Sequence, residues 1–358
     1  MSLINGLRSS LLAGAVMACG LAQAGIPTSL SEKVGKLAAE QQPELEKVFR
    51  QLHANPELAF DLHDTSALVA KRLKKLGFQV HTGIAETGLA AVLKNGDGPV
   101  IMFRSDMDAL PVKEESGLSY ASKKQVELDD GSTSYVSHAC GHDSHTAWLL
   151  GIAKVMMETR DAWSGTLVLV GQPAEELIAG AQAMVDDGLY DKVPKPSLLI
   201  SAHVYPVCPA GTVAAKAGRR MAGSDQLDVH LTGIGGHGSR PEGTIDPVVM
   251  GARAVRAYQT IVSRNHLASQ DLVVSVTQIH TGSADNIIPE TAYINGTVRT
   301  FDREVQEMVM RRMQQIVDGQ AASYDVSAEL VYEVGYPATV NDPAKTETAI
   351  AAASEVVG

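Results

Sequence analysis

Apolar positions recur at helical spacing from Glu44 to Leu52 and again from Thr65 to Leu76, where Gly77 supplies a C-terminal cap. Two short strand patterns follow, Phe78–Thr82 and Leu89–Leu93. The next stretch, Pro99-Val-Ile-Met-Phe-Arg104-Ser-Asp106-Met-Asp108, is apolar without alternation until it ends in carboxylates, as a strand buried on both faces would be. That pattern returns twice. Thr166–Gly171 runs straight into Gln172-Pro-Ala-Glu175-Glu176, and Leu198–Ala202 into His203, with a helical stretch, Trp148–Met157, between the first two strands. Buried strands joined by helices, each delivering polar residues at its carboxyl end, predict an α/β fold with a mainly parallel sheet and its chemistry along one edge. Taken singly, Asp106 and Asp108 are equally well read as turn residues.

After Gly211 the pattern changes. Ser224–Leu231 alternates as a strand, Pro247–His266 is helical, and Asp271–Ile279 and Ala292–Val298 are strands; Asp302–Tyr324 is helical and Asp325–Tyr332 a last strand. The order β-α-β-β-α-β predicts a ferredoxin-like α+β unit as a separate domain. A chain of 358 residues exceeds one ordinary core, which agrees with two domains. The expected division is 25–217 for the first, 218–331 for the insert and 332–358 for a return to the first.

The chain is 45% hydrophobic and 20% charged, with a net charge of -11, a globular profile whose acidity argues against a nucleic-acid groove or an anionic membrane partner. Residues 1–24 read as an export signal: Arg8 as the positive flank, Leu11–Leu21 as an apolar run too short to span a bilayer, and Ala22-Gln23-Ala24 as the cleavage site. The expectation is an exported, periplasmic or secreted protein. A lipobox-like Val16-Met17-Ala18-Cys19 and a buried amino-terminal helix are the alternatives. With Cys19 removed, Cys140 and Cys208 remain, able to pair unless Cys140 is held by a metal; Cys208 otherwise reads as a small buried hydrophobe.

The densest chemistry lies in His138-Ala-Cys140-Gly-His142-Asp143-Ser-His145. Thiolate and imidazole suit zinc and its borderline-soft neighbours. Cys140 and His142 are close enough in sequence for one turn to aim both at one ion, with Gly141 free to take unusual backbone angles. Asp143 and Ser144 are candidates to cap the helix that follows. Alone, such a segment is also a polar loop with a buried cysteine, and Glu175-Glu176 a solvated acidic pair.

Together with Leu52-His-Ala-Asn-Pro-Glu-Leu58, Arg104-Ser-Asp-Met-Asp-Ala-Leu-Pro111, Gln172-Pro-Ala-Glu-Glu176, Ala202-His-Val204, Gly235-Gly-His-Gly238 and Asn286-Ile-Ile-Pro289, this segment resembles the co-catalytic metallo-exopeptidase and aminoacylase family. The resemblance is to its amidohydrolase branch, which includes hippurate hydrolases and the hydrolases of indole-acetyl–amino-acid conjugates. It implies Cys140, His142, Glu176 and His203 as metal ligands and Glu175 as general base, with two divalent ions per full-length subunit, Mn2+ or Zn2+. It also implies Asp106 and Asp108 as residues orienting the ligands, and His237 as an oxyanion stabiliser acting across a dimer interface of the inserted lid domain. Asn286 and Arg299 become candidates for holding a substrate carboxylate. On the residues alone, His237 is also an exposed loop histidine and Arg299 a surface cation. The implied substrate is an N-acyl amino acid or similar conjugate. A short peptide, hydrolysed by a dipeptidase or carboxypeptidase, is the alternative within enzymes, and a non-catalytic metal-binding homologue the alternative outside them.

The chain departs from the family pattern twice. Glu242 stands where the family has a second lid histidine, and no histidine follows His280, although the family takes a last ligand from a carboxyl-terminal segment. The expectation is a truncated chain that ends before the sheet of its first domain is complete.

Overall fold

The computed structural model describes residues 27–128 and 130–357. The leader read at 1–24, Cys19 included, lies outside them. Among the described residues no helix is long and apolar enough to cross a membrane.

The chain opens with α1 (Thr28–Ala54) and α2 (His63–Lys75), then the hairpin β1 (Gln79–Ile84) and β2 (Gly88–Asn95), and β3 (Val100–Asp106). A small ribbon of β4 (Gln125–Glu127) and β5 (Thr133–Tyr135) leads to α3 (His142–Glu158), β6 (Gly165–Gln172), the short helices α4 (Gly180–Asp186) and α5 (Leu189–Lys192), and β7 (Leu198–Ser201). These strands form one sheet in the order β1-β2-β6-β3-β7. The three strands read as parallel are parallel: β3 pairs with both β6 and β7 in that sense. The β1–β2 hairpin and the β2–β6 pairing are antiparallel, so the sheet as a whole is mixed. Its apolar side chains, among them Leu89, Phe103 and Leu169, pack with Leu52, Leu73 and Leu149 of the three long helices into one buried cluster.

The strand register fixes where chemistry emerges. Asp106 pairs with Gln172 across β3 and β6, and Arg104 with Ser201 across β3 and β7. Three strands therefore release their chains side by side at one edge of the sheet.

The block Leu52–Leu58 has a structural use there. The buried Glu57 carboxylate accepts the Asp64 N–H at 3.1 Å and the Thr65 N–H at 2.8 Å, so it caps α2 from outside the helix. Its own carbonyl accepts the Ala109 N–H at 2.8 Å, which ties the segment after β3 to the start of α2.

The second layer of elements is β8 (Gly218–Met221), β9 (Gly223–Thr232), β10 (Gly236–His237), α6 (Pro247–Arg264), β11 (Leu272–Thr281), β12 (Ile287–Ile288), β13 (Thr291–Thr300), α7 (Arg303–Tyr324), β14 (Ser327–Tyr336), β15 (Thr339–Asn341) and α8 (Pro343–Val357). Four of the strands form an antiparallel sheet in the order β11-β13-β9-β14. With α6 and α7, its elements run β-α-β-β-α-β as the periodicity predicts. Alternation drives it: Leu227, Val229 and Leu231 of β9 are buried with Met250 and Tyr258 of α6 and Val309 and Met313 of α7. Asp246 begins α6 as a capping residue, its side chain accepting the Val248 N–H at 2.8 Å, and Pro247 takes the first helical position.

The expected boundaries shift here. Residue 331 falls within β14, which continues to Tyr336, because Asp225 binds that end: it accepts hydrogen bonds from Tyr332 Oη at 2.8 Å and Gly335 N at 3.1 Å. Residues 218–221 do not join the four-stranded sheet; they pair with β15 in a separate ribbon, so the chain enters and leaves this layer through two paired strands. Beyond that ribbon α8 packs near α1, and Lys345 Nζ donates to the Ser197 carbonyl at 2.5 Å.

Glu57→Ala removes the acceptor for two helix N–H groups. The expected loss of stability is about 1–2 kcal/mol by chemical denaturation; an unchanged midpoint would show that the cap contributes nothing.

Candidate metal centre

Cys140 lies in the turn before α3 and His142 opens the helix. Gly141 between them has φ 81°. A Cβ at Gly141 would stand 2.5 Å from a Val204 methyl, so the position needs glycine both for its angles and for the close approach of the loop after β7. That approach brings His203 against Cys140, with Nε2 3.5 Å from Sγ. Asp143 and Ser144 do not cap α3. Asp143 lies within the first turn, where Oδ1 accepts the Ser144 N–H at 2.8 Å and Oδ2 meets His53 Nδ1 at 2.6 Å.

His142 and His203 present defined nitrogens. His203 Nδ1 donates to the Val204 carbonyl at 2.6 Å, which leaves Nε2 as the basic atom toward Cys140. His142 has its Nδ1 3.3 Å from Asp108 Oδ1, and its Nε2 lies 3.8 Å from Glu175 Oε2 and 3.8 Å from Glu176 Oε1. Glu176 is anchored through its backbone, whose N–H donates to Asp108 Oδ2 at 3.0 Å. Asp108 therefore stands behind both a histidine and a glutamate and orients the two together.

Two groups of potential donor atoms converge here: Cys140, His142 and Glu176 in one, Asp106, His142, His145 and His203 in the other. The second group thins on inspection. Asp106 receives His145 Nδ1 at 2.6 Å on one oxygen and the Arg104 guanidinium at 2.8 Å on the other. His145 Nε2 accepts the Val204 N–H at 2.9 Å. Both residues are thus committed to holding the loop that carries His203. The atoms left are Cys140 Sγ, His142 Nε2, Glu176 Oε1 and His203 Nε2; His142 Nε2 and Glu176 Oε1 are buried without any hydrogen-bond partner. Orphaned donors of these kinds fit a divalent cation.

The electrostatics agree. Burial opposes a charge on His142, but the carboxylates of Asp108, Asp106 and Glu175 outweigh it and hold its pKa above the ordinary value. Burial raises Glu176 as well, reinforced by Glu175 beside it. Burial and then the Glu176 charge push the Cys140 thiol up to about 12. Burial leads the shifts of Glu176 and Cys140, and neighbouring carboxylates add to both; only at His142 do the carboxylates overcome burial.

Other residues are placed elsewhere. His138 is buried, both ring nitrogens lack partners, and burial drives its pKa down to about 3; it joins neither donor group. Cys140 and Cys208 are free thiols, so they do not pair, and Cys208 is only half-buried. His237 and Asn286 are brought together: β10 pairs with β12, and Gly238 N donates to the Asn286 carbonyl at 2.7 Å. Arg299 is separated from them. It pairs with Ser224 near the start of β9, whereas Gly233, just past the end of β9, bonds Glu290 beside β12. Between Thr291 and Arg299 the strand runs eight steps, roughly 26 Å. Arg299 Nη1 is itself buried without a partner. Glu242 is exposed on the loop after β10.

Sequence reasoning left His145, His53 and Glu114 without roles. His145 carries a signal, since it lies one helical turn beyond His142. His53 and Glu114, 3.0 Å apart, carry none, because their partnership joins segments distant along the chain.

A thiol, two imidazoles and a carboxylate at the carboxyl edge of a sheet, beside a further glutamate, define the class as a metal-dependent hydrolase. The model of the peptidase family M20/M25/M40 matches residues 102–358, and the chain belongs to that family of amidohydrolases and peptidases. It is 39% identical over 298 residues to the N-acetyl-L-cysteine deacetylase of Bacillus subtilis, covering 83% of this chain and 69% of that one. It is 38% identical over 318 residues to the hippurate hydrolase of Campylobacter jejuni, covering 88% and 80%. Among solved structures, a dinuclear metal-binding peptidase of the M20 family from Bacillus subtilis superposes with TM-score 0.74 at 31% identity, over 89% of this chain and 81% of that one.

His145→Leu tests the division between ligands and supports. Removing a hydrogen-bonding partner behind a ligand typically costs about 10–100-fold in metal affinity. That loss is expected in a chelator competition, and unchanged affinity would remove His145 from the supporting role.

Proposed function

We propose that this chain hydrolyses the amide bond of N-acyl amino acids or similar small amino-acid conjugates, with Cys140, His142, Glu176 and His203 among the residues that hold manganese or zinc, two ions per full-length subunit. The observation that carries the reading is the unequal environment of two adjacent glutamates. Glu176 is anchored by its N–H and buries an oxygen among donor atoms, while Glu175 remains 39% exposed beside the same imidazole. When bound, divalent ions acidify water and polarise a carbonyl. Glu175 takes the proton of the attacking water and passes it to the departing amine nitrogen. Asp108 and His145 keep the ligand atoms aimed, so that they need not reorganise during the reaction.

The lid residues divide along β13. Arg299 lies at the end where the chain crosses between the two layers, and its fork suits a carboxylate. His237 and Asn286 lie at the far end. If all three serve one substrate, His237 and Asn286 come from a second copy, with His237 stabilising the oxyanion. Edge strand β11 supports such a dimer, since Val273 and Ile279 are each 49% exposed on it. The leader-like first residues support a periplasmic or secreted setting for this chemistry.

Glu175→Gln and Glu176→Gln separate the roles. Glu175→Gln keeps its metal but loses roughly a hundred- to ten-thousand-fold in turnover of an N-acyl amino acid. Glu176→Gln loses metal affinity first, and added metal partly restores it. If Glu175→Gln were the variant that lost metal, the two assignments would exchange; if neither lost activity, the hydrolytic reading would fail.

The dimer is tested by mixing two inactive variants, His237→Ala and Glu175→Gln, after subunit exchange. Activity regained in the mixture is the expected result. A monomer by light scattering, or a mixture as inactive as its parts, would place His237 outside the reaction.

A further inference from the structure

We propose that Leu177 and Ile178 form the apolar wall that receives the acyl group of the substrate, and so give the enzyme a preference for acyl groups larger than acetyl. This rests on the N-acyl amino acid reading above. The two residues directly follow Glu175 and Glu176, yet they are 61% and 56% exposed, in a loop whose backbone is tightly held. Ile178 N donates to the Glu175 carbonyl at 2.7 Å, and Gly180 N to the Ala174 carbonyl at 3.0 Å. A Cβ at Gly180 would fall 1.6 Å from the Pro173 carbonyl oxygen, so the loop has one available path.

That path requires φ 48° at Ala174 and φ 60° at Ile178. A β-branched residue in the left-handed region is strained, and glycine would relieve it. Stability alone would therefore not keep isoleucine there, nor leave it facing water. Strain held in place beside a reactive centre points to use by a ligand. Other exposed apolar groups adjoin the same centre: Trp148 lies 5.2 Å from the His145 ring, and Tyr205 follows two residues after His203. Of the two halves of an N-acyl amino acid, the amino-acid half carries the carboxylate that Arg299 suits. The acyl carbon is the one attacked, so its substituent lies nearest the glutamates and the loop that continues from them.

The test compares wild type with Ile178→Gly and Leu177→Ser in two readouts. One is the ratio of kcat/KM for N-hexanoyl over N-acetyl amino acids. The other is the ratio of affinities for hexanoate over acetate by titration calorimetry, which needs no turnover. Both ratios are expected to favour the longer chain in wild type and to fall about tenfold in each variant, the scale of lost apolar contact in a binding pocket. Ile178→Gly should also raise Tm by releasing the strained angle. Ratios unchanged in both variants would overturn the wall. A lower Tm for Ile178→Gly would overturn it too, by showing that the side chain packs on its own chain. If wild type prefers hexanoate but hydrolyses neither conjugate, the wall stands and the hydrolytic reading fails.

Discussion

Four carboxylates, those of Asp106, Asp108, Glu175 and Glu176, lie within 3.8 Å of the buried His142 ring. So much negative charge around one imidazole is unfavourable unless positive charge joins it, since buried ions without partners cost several kcal/mol each. The His145 hydrogen bond and then the Arg104 guanidinium answer part of this at Asp106, whose carboxyl pKa is driven below its ordinary range despite burial. The remainder falls on His142, and it adds to the upward shifts that burial gives Glu176 and Cys140. A divalent cation would relieve all three at once, with Cys140 Sγ, His142 Nε2 and Glu176 Oε1 as its donor atoms. The charge gathered here would then favour holding such an ion.

The sheet register makes this concentration of charge possible. Asp106 and Gln172 end adjacent strands at the same level, so the segments that continue from them start out as neighbours. Asp108 can then reach the backbone of Glu176 with only a short turn on either side. The loop after β7 arrives from the other flank and is closed down by Val204, whose N–H binds His145 and whose methyl rests over Gly141. Rigidity at the centre is thus a property of three strand ends and one helix start, elements whose own stability comes from the buried apolar cluster beneath them.

The strand ends and the donor residues that gather there were legible in the sequence because each rests on local signals: an unbroken apolar run, then residues whose chemistry is conspicuous. The four-stranded sheet was legible for a similar reason, its alternation being visible residue by residue. What was not legible depends on contacts between distant segments. Glu57 looks like an exposed loop acid until Asp64 and Thr65 are seen to turn toward it. Asp143 looks like a helix cap, yet the helix starts one residue earlier and His53 holds its side chain. The ribbon of β8 and β15 escaped notice because each strand is only three or four residues long, too short for periodicity to register. The hairpin in the first sheet was read as two strands; the short connection between Thr82 and Leu89, too short for a parallel crossover, marks the pair as antiparallel, whereas the apolar pattern does not.

The difference between Glu175 and Glu176 shows how adjacent, identical side chains acquire distinct surroundings. Neither rotamer preference nor intrinsic acidity separates them. The backbone does: Ala174 is bound through its N–H to the Ala59 carbonyl at 2.9 Å and held at φ 48°, while Glu176 is bound through its N–H to Asp108. Between two fixed peptide groups the chain presents one carboxylate to the buried donor atoms and the other to the partly open side of His142. An ion at the donor atoms would draw the first into its coordination and leave the second near and free to move a proton. Because Asp108 contacts both His142 and the Glu176 backbone, a displacement of one is transmitted to the other. The spacing between the Glu176 carboxylate and the imidazole is then set by one aspartate.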